Sequence, residues 1–191
     1  FFPLFSLSTF AQQMENQNVS VSATVPPNQS DFPFEISSTD GKTIVPQETT
    51  LSYHIRYGAK ASAGINSPTT ITVDFSKSTA PNGLTLVRYV VGSANTAYAN
   101  TQPIVDLNNR TITWSIPSLP AGVTDQTLTF QLKTTSNYTG DTTLPLLLHA
   151  TMSNPYATIK QSISNQSYHT TNEPFLPTAT PTNAPTPNPT I

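Results

Sequence analysis

The sequence predicts an all-β fold, an antiparallel β-sandwich of about seven to nine strands followed by an extended Pro/Thr-rich tail. Three observations carry this. The stretch from Asn109 to Lys133 writes two half-buried strands in plain alternation; short apolar-alternating runs recur with turn residues between them; and no window shows a convincing helical period. In the first of the two strands, Ile112, Trp114 and Ile116 share one face while Thr111, Thr113 and Ser115 share the other. In the second, Leu128, Phe130 and Leu132 oppose Thr127, Thr129, Gln131 and Lys133. A strand with one apolar face needs a second sheet to cover it, which makes the sandwich the expected architecture.

Along the chain, Asn18 to Val25 alternates Val19, Val21, Ala23 and Val25 against Ser20, Ser22 and Thr24, and it stops at Pro26-Pro27. Asp31 to Ser37 alternates Phe32, Phe34 and Ile36, with Pro33 restricting it to an edge or a bulge. After the Asp40-Gly41 turn, Thr49 to Tyr57 turns Leu51, Tyr53, Ile55 and Tyr57 inward. The small residues of Gly58 to Pro68 read as a flexible loop, and Thr70 to Phe75 resumes with Ile71, Val73 and Phe75 inward. Asn82-Gly83 opens Leu84 to Val91, apolar on both faces and so predicted either to be central in a sheet or to pack under a loop. Gly92 to Pro103 reads as a loop, Asp106 to Arg110 as a turn into the tryptophan strand, and Leu144 to Met152 and Ala157 to Ile163 as the last two strands. The expected core is Val19, Val21, Leu51, Tyr53, Ile55, Ile71, Val73, Ile112, Trp114, Ile116, Leu128, Phe130 and Leu132.

The 191 residues fit one domain and a tail, long enough for a core that needs no cofactor. Charged residues make up 9% and net charge is −2, which excludes the clustered Lys and Arg that nucleic acid demands. There is no cysteine, hence no disulfide, thiolate metal site or cysteine nucleophile. Residues 1–11 read as the end of a signal peptide: apolar Phe1 to Leu7 precedes Thr9-Phe10-Ala11, whose small residues point to cleavage before Gln12. No other window is apolar enough for a transmembrane span. The expected domain is 12–172. From Glu173 to Ile191 a proline recurs every few residues, so the tail is read as an extended linker leading to more of a longer protein.

GLTLV at Gly83, RTITWSIPSLPAG at Arg110, TLTFQLKTT at Thr127 and TLSYHIRYG at Thr50 together resemble the bacterial surface repeat DUF11 over roughly residues 40–155. The pattern departs from that family in the loop after Tyr57, in the segment before Pro103 and in LPLLLHA at Leu144. The resemblance implies an Ig-like β-sandwich on exported, often repetitive cell-surface proteins, without known catalysis.

Few residues carry a pattern that points to chemistry. His54, His149 and His169 have no carboxylate at ligand spacing, so they are expected to be solvated or hydrogen-bonded. No serine sits in a G-x-S-x-G turn and no two carboxylates are singled out by spacing. Asp106 and Asn108 are the candidate calcium ligands, although DLNNR lacks the remaining acidic positions and reads better as a turn. Lys42, Lys60, Lys77, Lys133 and Lys160 are not read as buried, as a Lys–Asn isopeptide bond would need. The five Asn-x-Ser/Thr triplets match the roughly four expected by chance in so Ser/Thr-rich a chain. Tyr98, Tyr138 and Tyr156 are the candidates for stacking on a glycan. The expected function is a non-catalytic structural or adhesion module of an exported bacterial cell-surface protein. It would contact an unidentified protein or glycan from a Pro/Thr-rich stalk, with no cofactor and no metal. The alternative is a carbohydrate-binding module tethered to a secreted enzyme.

Overall fold

The computed structural model describes residues 27–138 and 143–168. The predicted strand Asn18–Val25, the leader, the Gly140-Asp141 bend, His169 and the tail all lie outside them. Ten strands form among the described residues: β1 (Phe34–Ser38), β2 (Ile44–Val45), β3 (Thr50–Tyr57), β4 (Ser67–Asp74), β5 (Val87–Tyr89), β6 (Ile104–Asp106), β7 (Thr111–Leu119), β8 (Gln126–Thr134), β9 (Leu144–Ser153) and β10 (Thr158–Tyr168). They make two sheets, one ordered β1-β3-β8-β5 and the other β2-β10-β9-β4-β7-β6. Every pairing is antiparallel except that of β2 with β10. The all-β sandwich is therefore the observed fold.

Side-chain alternation explains why these segments stack face to face. Leu51, Ile55, Ile71, Val73, Ile112, Trp114, Leu128 and Leu132 are all fully buried, and every other described member of the expected core is at most 1% exposed. Each large apolar side chain so buried contributes about 1.5–3 kcal/mol relative to exposure. Tyr53 and Phe130, opposite each other on β3 and β8, stack with ring centroids 5.3 Å apart. A low-dielectric interior favours pairing of the polar groups that enter it, and Tyr53 and Gln166 are paired in this way. The Tyr53 hydroxyl donates to Gln166 Oε1 at 2.6 Å, and Gln166 Nε2 donates to Ser38 Oγ at 3.0 Å, tying the two sheets together.

Several elements differ from the sequence reading, each for a local reason. Phe32 is buried but precedes β1, because Asn28 caps a 3-10 turn over Gln29–Asp31 and Pro33 then delivers the chain into an edge strand. The loop after Tyr57, read as flexible, forms a 3-10 turn at Ala61–Ala63 and buries Ala59 and Ala63. Its small residues permit close approach: the Ala59 amide donates to the Val123 carbonyl at 2.7 Å, and the Gly122 amide donates to that of Ala59 at 2.8 Å. β4 begins at Ser67 and carries Pro68 at a bulge, before its pairing with β9 starts at Thr70. β10 continues past Ile163 through a second bulge, which breaks the alternation, to bury Gln166 and Tyr168. The segment Leu84–Val91 is not central in a sheet: only Val87–Tyr89 joins one, at its edge, Thr85 bridges to Thr79, and Val91 is 85% exposed.

Candidate functional site: an apolar groove between two sheet edges

β5 ends one sheet and β6 ends the other, on the same flank of the sandwich. Beyond β5 the chain stops pairing as a strand and instead runs beside β8 through a mixture of backbone and side-chain bonds. The Val90 amide donates to the Gln131 carbonyl at 3.1 Å, Ser93 Oγ accepts from the Gln131 amide at 3.0 Å, and Asn95 Oδ1 accepts from the Thr129 amide at 2.7 Å. These bonds satisfy the edge of β8 without a regular ladder.

Core side chains hold the same loop from beneath. Trp114, fully buried, donates its indole N–H to the Asn95 carbonyl at 2.8 Å. The Tyr57 hydroxyl accepts from the Tyr98 amide at 2.8 Å, and that of Tyr89 accepts from the Ala94 amide at 3.0 Å. These bonds turn three backbone groups of the loop inward, while Val91 is left exposed together with Asn95, Thr96 and Asn100.

Between this loop and β6 lies a groove of about 460 Å³ lined by Tyr89, Val91, Gly92, Ala94, Gln102, Pro103, Val105 and Leu107. Six large apolar residues are exposed among those described, and three of them, Val91 (85%), Ile104 (65%) and Leu107 (62%), lie on this flank. An apolar groove beside two free strand edges is a surface that natural proteins ordinarily cover or charge. No Asp, Glu, His, Lys or Arg lines it. It can bury an apolar segment.

The loop also carries strain. Ala99 sits at φ 56°, ψ 32°, in the left-handed region that a Cβ disfavours. Ala99→Gly is expected to raise stability by about 0.5–1 kcal/mol, the left-handed penalty less the added freedom of unfolded glycine. A thermal unfolding midpoint checks it, and a lowered midpoint would contradict the strain.

Of the residues singled out from sequence, Asp106 ends β6 and its carboxylate is engaged within its own turn. It accepts from the Asn108 amide at 2.9 Å, the Asn109 amide at 3.0 Å and Asn109 Nδ2 at 2.6 Å. The Asn109 backbone and side-chain donors, helped by Asn108, hold that carboxyl below the usual carboxylate range. The turn reading of DLNNR thus has a direct counterpart, and Asn108 contributes a backbone amide to it. Tyr138 and Tyr156 flank opposite ends of β9: the Tyr138 carbonyl accepts from Tyr168 near the end of β10, whereas Tyr156 lies in the β9–β10 turn, 44% exposed. Tyr98 sits in the loop above Tyr57, partly packed on the core. The three do not form one row.

His54 and His149 stand on different sheets, each bonded to a cross-strand serine: His54 Nε2 to Ser37 Oγ at 2.7 Å and His149 Nδ1 to Ser162 Oγ at 2.8 Å. Among the described residues no group of three His, Asp or Glu side chains could hold a metal ion. Lys133 pairs with Glu48 at 2.8 Å, partly exposed. Sequence reasoning missed β6, Val91, Ile104 and Leu107 as a site. The available signal was an apolar residue at each, interleaved with loop residues.

No protein-family model and no curated protein sequence matches the chain. Among solved structures it is similar to BcpA, the major pilin subunit of Bacillus cereus, with 8% identity and a TM-score of 0.53 over 72% of this chain and 40% of that one. It is also similar to the collagen-binding domain of a Staphylococcus aureus adhesin, with 10% identity and a TM-score of 0.43 over 71% of this chain and 96% of that domain. A C-terminal fragment of a major pilin of Streptococcus agalactiae gives 8% identity and 0.44 over 72% and 56%. The chain spans less than half the length of the Bacillus pilin. At such identities the likeness is one of fold. In the described residues no helix is long and apolar enough to cross a membrane.

Proposed function

We propose that the chain is a non-catalytic structural and adhesion module of an exported bacterial cell-surface protein. In this reading residues 1–11 are the remnant of a signal peptide, 12–172 the sandwich domain and 173–191 a Pro/Thr-rich stalk that holds it at a distance from the rest of a longer protein. The observation that carries the proposal is the groove: a rigid core positions an exposed apolar surface, free of charged groups, between two open strand edges. Such a surface fits the docking of an extended, uncharged polypeptide. The resemblance to DUF11 repeats over about 40–155 and the likeness to a pilin fold support the same reading.

Display on a non-adhering laboratory bacterium tests it, scored as retention of cells on collagen and on a lawn displaying the same domain. Retention above undecorated cells, lowered by Leu107→Asp, is the expected result. Retention equal to that of undecorated cells on both surfaces would contradict it. Leu107 is 62% exposed, so the substitution leaves the core intact.

A further inference from the structure

Resting on the reading of the groove as a docking surface, we infer that its occupant is the segment Asn18–Val25 of a second copy of this chain. The groove lies between β5 and β6, each the end strand of its sheet, so an added strand meets two sheet edges as well as apolar walls. The chain itself carries a segment of matching chemistry. Val19, Val21, Ala23 and Val25 share one face of an alternating run, and from Asn16 to Ser30 there is no charged residue, as in the groove lining. Such a run buries one face only by pairing with an open edge above an apolar surface.

Chain connectivity makes the donor a second molecule. Pro27 leads directly into the 3-10 turn at Gln29–Asp31, which is fastened at the Tyr57 end of β3: the Lys60 amide donates to the Asp31 carbonyl at 2.8 Å and the Gly58 amide to that of Pro33 at 3.2 Å. That attachment is beside β1, while the groove is beside β5, and the two are the opposite edges of one sheet. Three strand spacings separate them, about 14 Å. The near end of the groove, where Asn95 bonds Thr129, is also displaced from Gln126, the partner of Tyr57, by three residues, about 10 Å along β8. Val25 is joined to Pro27 through one residue and reaches about 7 Å. A chain therefore cannot lay its own Val19–Val25 along its own groove, whereas a neighbour's segment meets no such limit. One segment and one groove per molecule make a head-to-tail contact that does not use itself up, so it propagates into an open chain of copies.

The test uses the full chain in sedimentation velocity up to about 100 µM, the range in which contacts of this small size associate. Val21→Asp disables the donor and Leu107→Asp the acceptor. The wild-type chain is expected to gain mass with concentration, and each variant alone to associate at least ~10-fold more weakly. Mixing the two variants, one with an intact groove and the other with an intact segment, restores pairs but not longer chains. A wild-type chain that stays monomeric, a variant that associates like wild type, or a mixture that fails to pair would each overturn the inference. Monomeric behaviour together with Leu107-dependent cell retention would reject the second-copy occupant while leaving the groove as the docking surface.

Discussion

Replacing Trp114 with alanine is expected to destabilise the domain by about 4 kcal/mol, the middle of the range for removing a large aromatic side chain from a packed interior. Against the roughly 5–15 kcal/mol of total stability common to such domains, that is enough to leave a substantial fraction unfolded. The residue is fully buried between the sheets, level with Ile71 of β4, and its N–H is the donor that fixes the Asn95 carbonyl. Trp114→Phe separates the two roles. It keeps most of the apolar volume but removes the donor, so it is expected to cost less than alanine while loosening the loop that forms one wall of the groove. Urea unfolding followed by circular dichroism measures both. A midpoint for Trp114→Ala equal to that of the wild type would show that the indole does not occupy the centre of the core.

Gly58→Ala is the second large effect, and it acts through sterics alone. A Cβ at this position would lie 2.8 Å from the Val123 carbonyl oxygen and 2.9 Å from Thr124 Cα, both backbone atoms that cannot rotate away. Either β3 or the link between β7 and β8 must shift, breaking the short bond from the Ala59 amide to Val123. The expected loss is about 2 kcal/mol, typical of overpacking a tight contact. Gly92→Ala provides the contrast: Gly92 has φ +76° with nothing within 4 Å of an added Cβ, so only backbone strain of about 1–2 kcal/mol opposes the change. If Gly58→Ala unfolds at the wild-type denaturant midpoint, the close approach of the two segments is wrong.

The same contrast between core and margin governs how much could be read from the amino-acid sequence. Strict alternation around Trp114 and Phe130 reports a face that must be covered, and those residues are buried as the pattern requires. Periodicity fails where pairing is carried by something other than a strand. The Ser93 and Asn95 side chains stand in for part of a ladder along β8, so Leu84–Val91 looks like a long buried strand yet places only three residues in the sheet. β6 is three residues long, below the length at which alternation can be recognised. The groove is consequently the least legible feature: its walls, Tyr89 to Ala94 and Gln102 to Leu107, follow no strand or helix period, and only the closing of two sheets sets them face to face. The candidate residues were legible one at a time. Asp106 binds its own turn and His54 and His149 bind serines, and both roles follow from local chemistry.

The chain has one tryptophan, which makes its fluorescence a direct report on the layer between the sheets. With Trp114 sealed there, native emission is expected to be blue-shifted and unaffected by iodide, shifting red and becoming quenchable only on unfolding. Red-shifted native emission quenched by iodide like that of a free indole would contradict the sandwich, and with it the scaffold on which the groove is built.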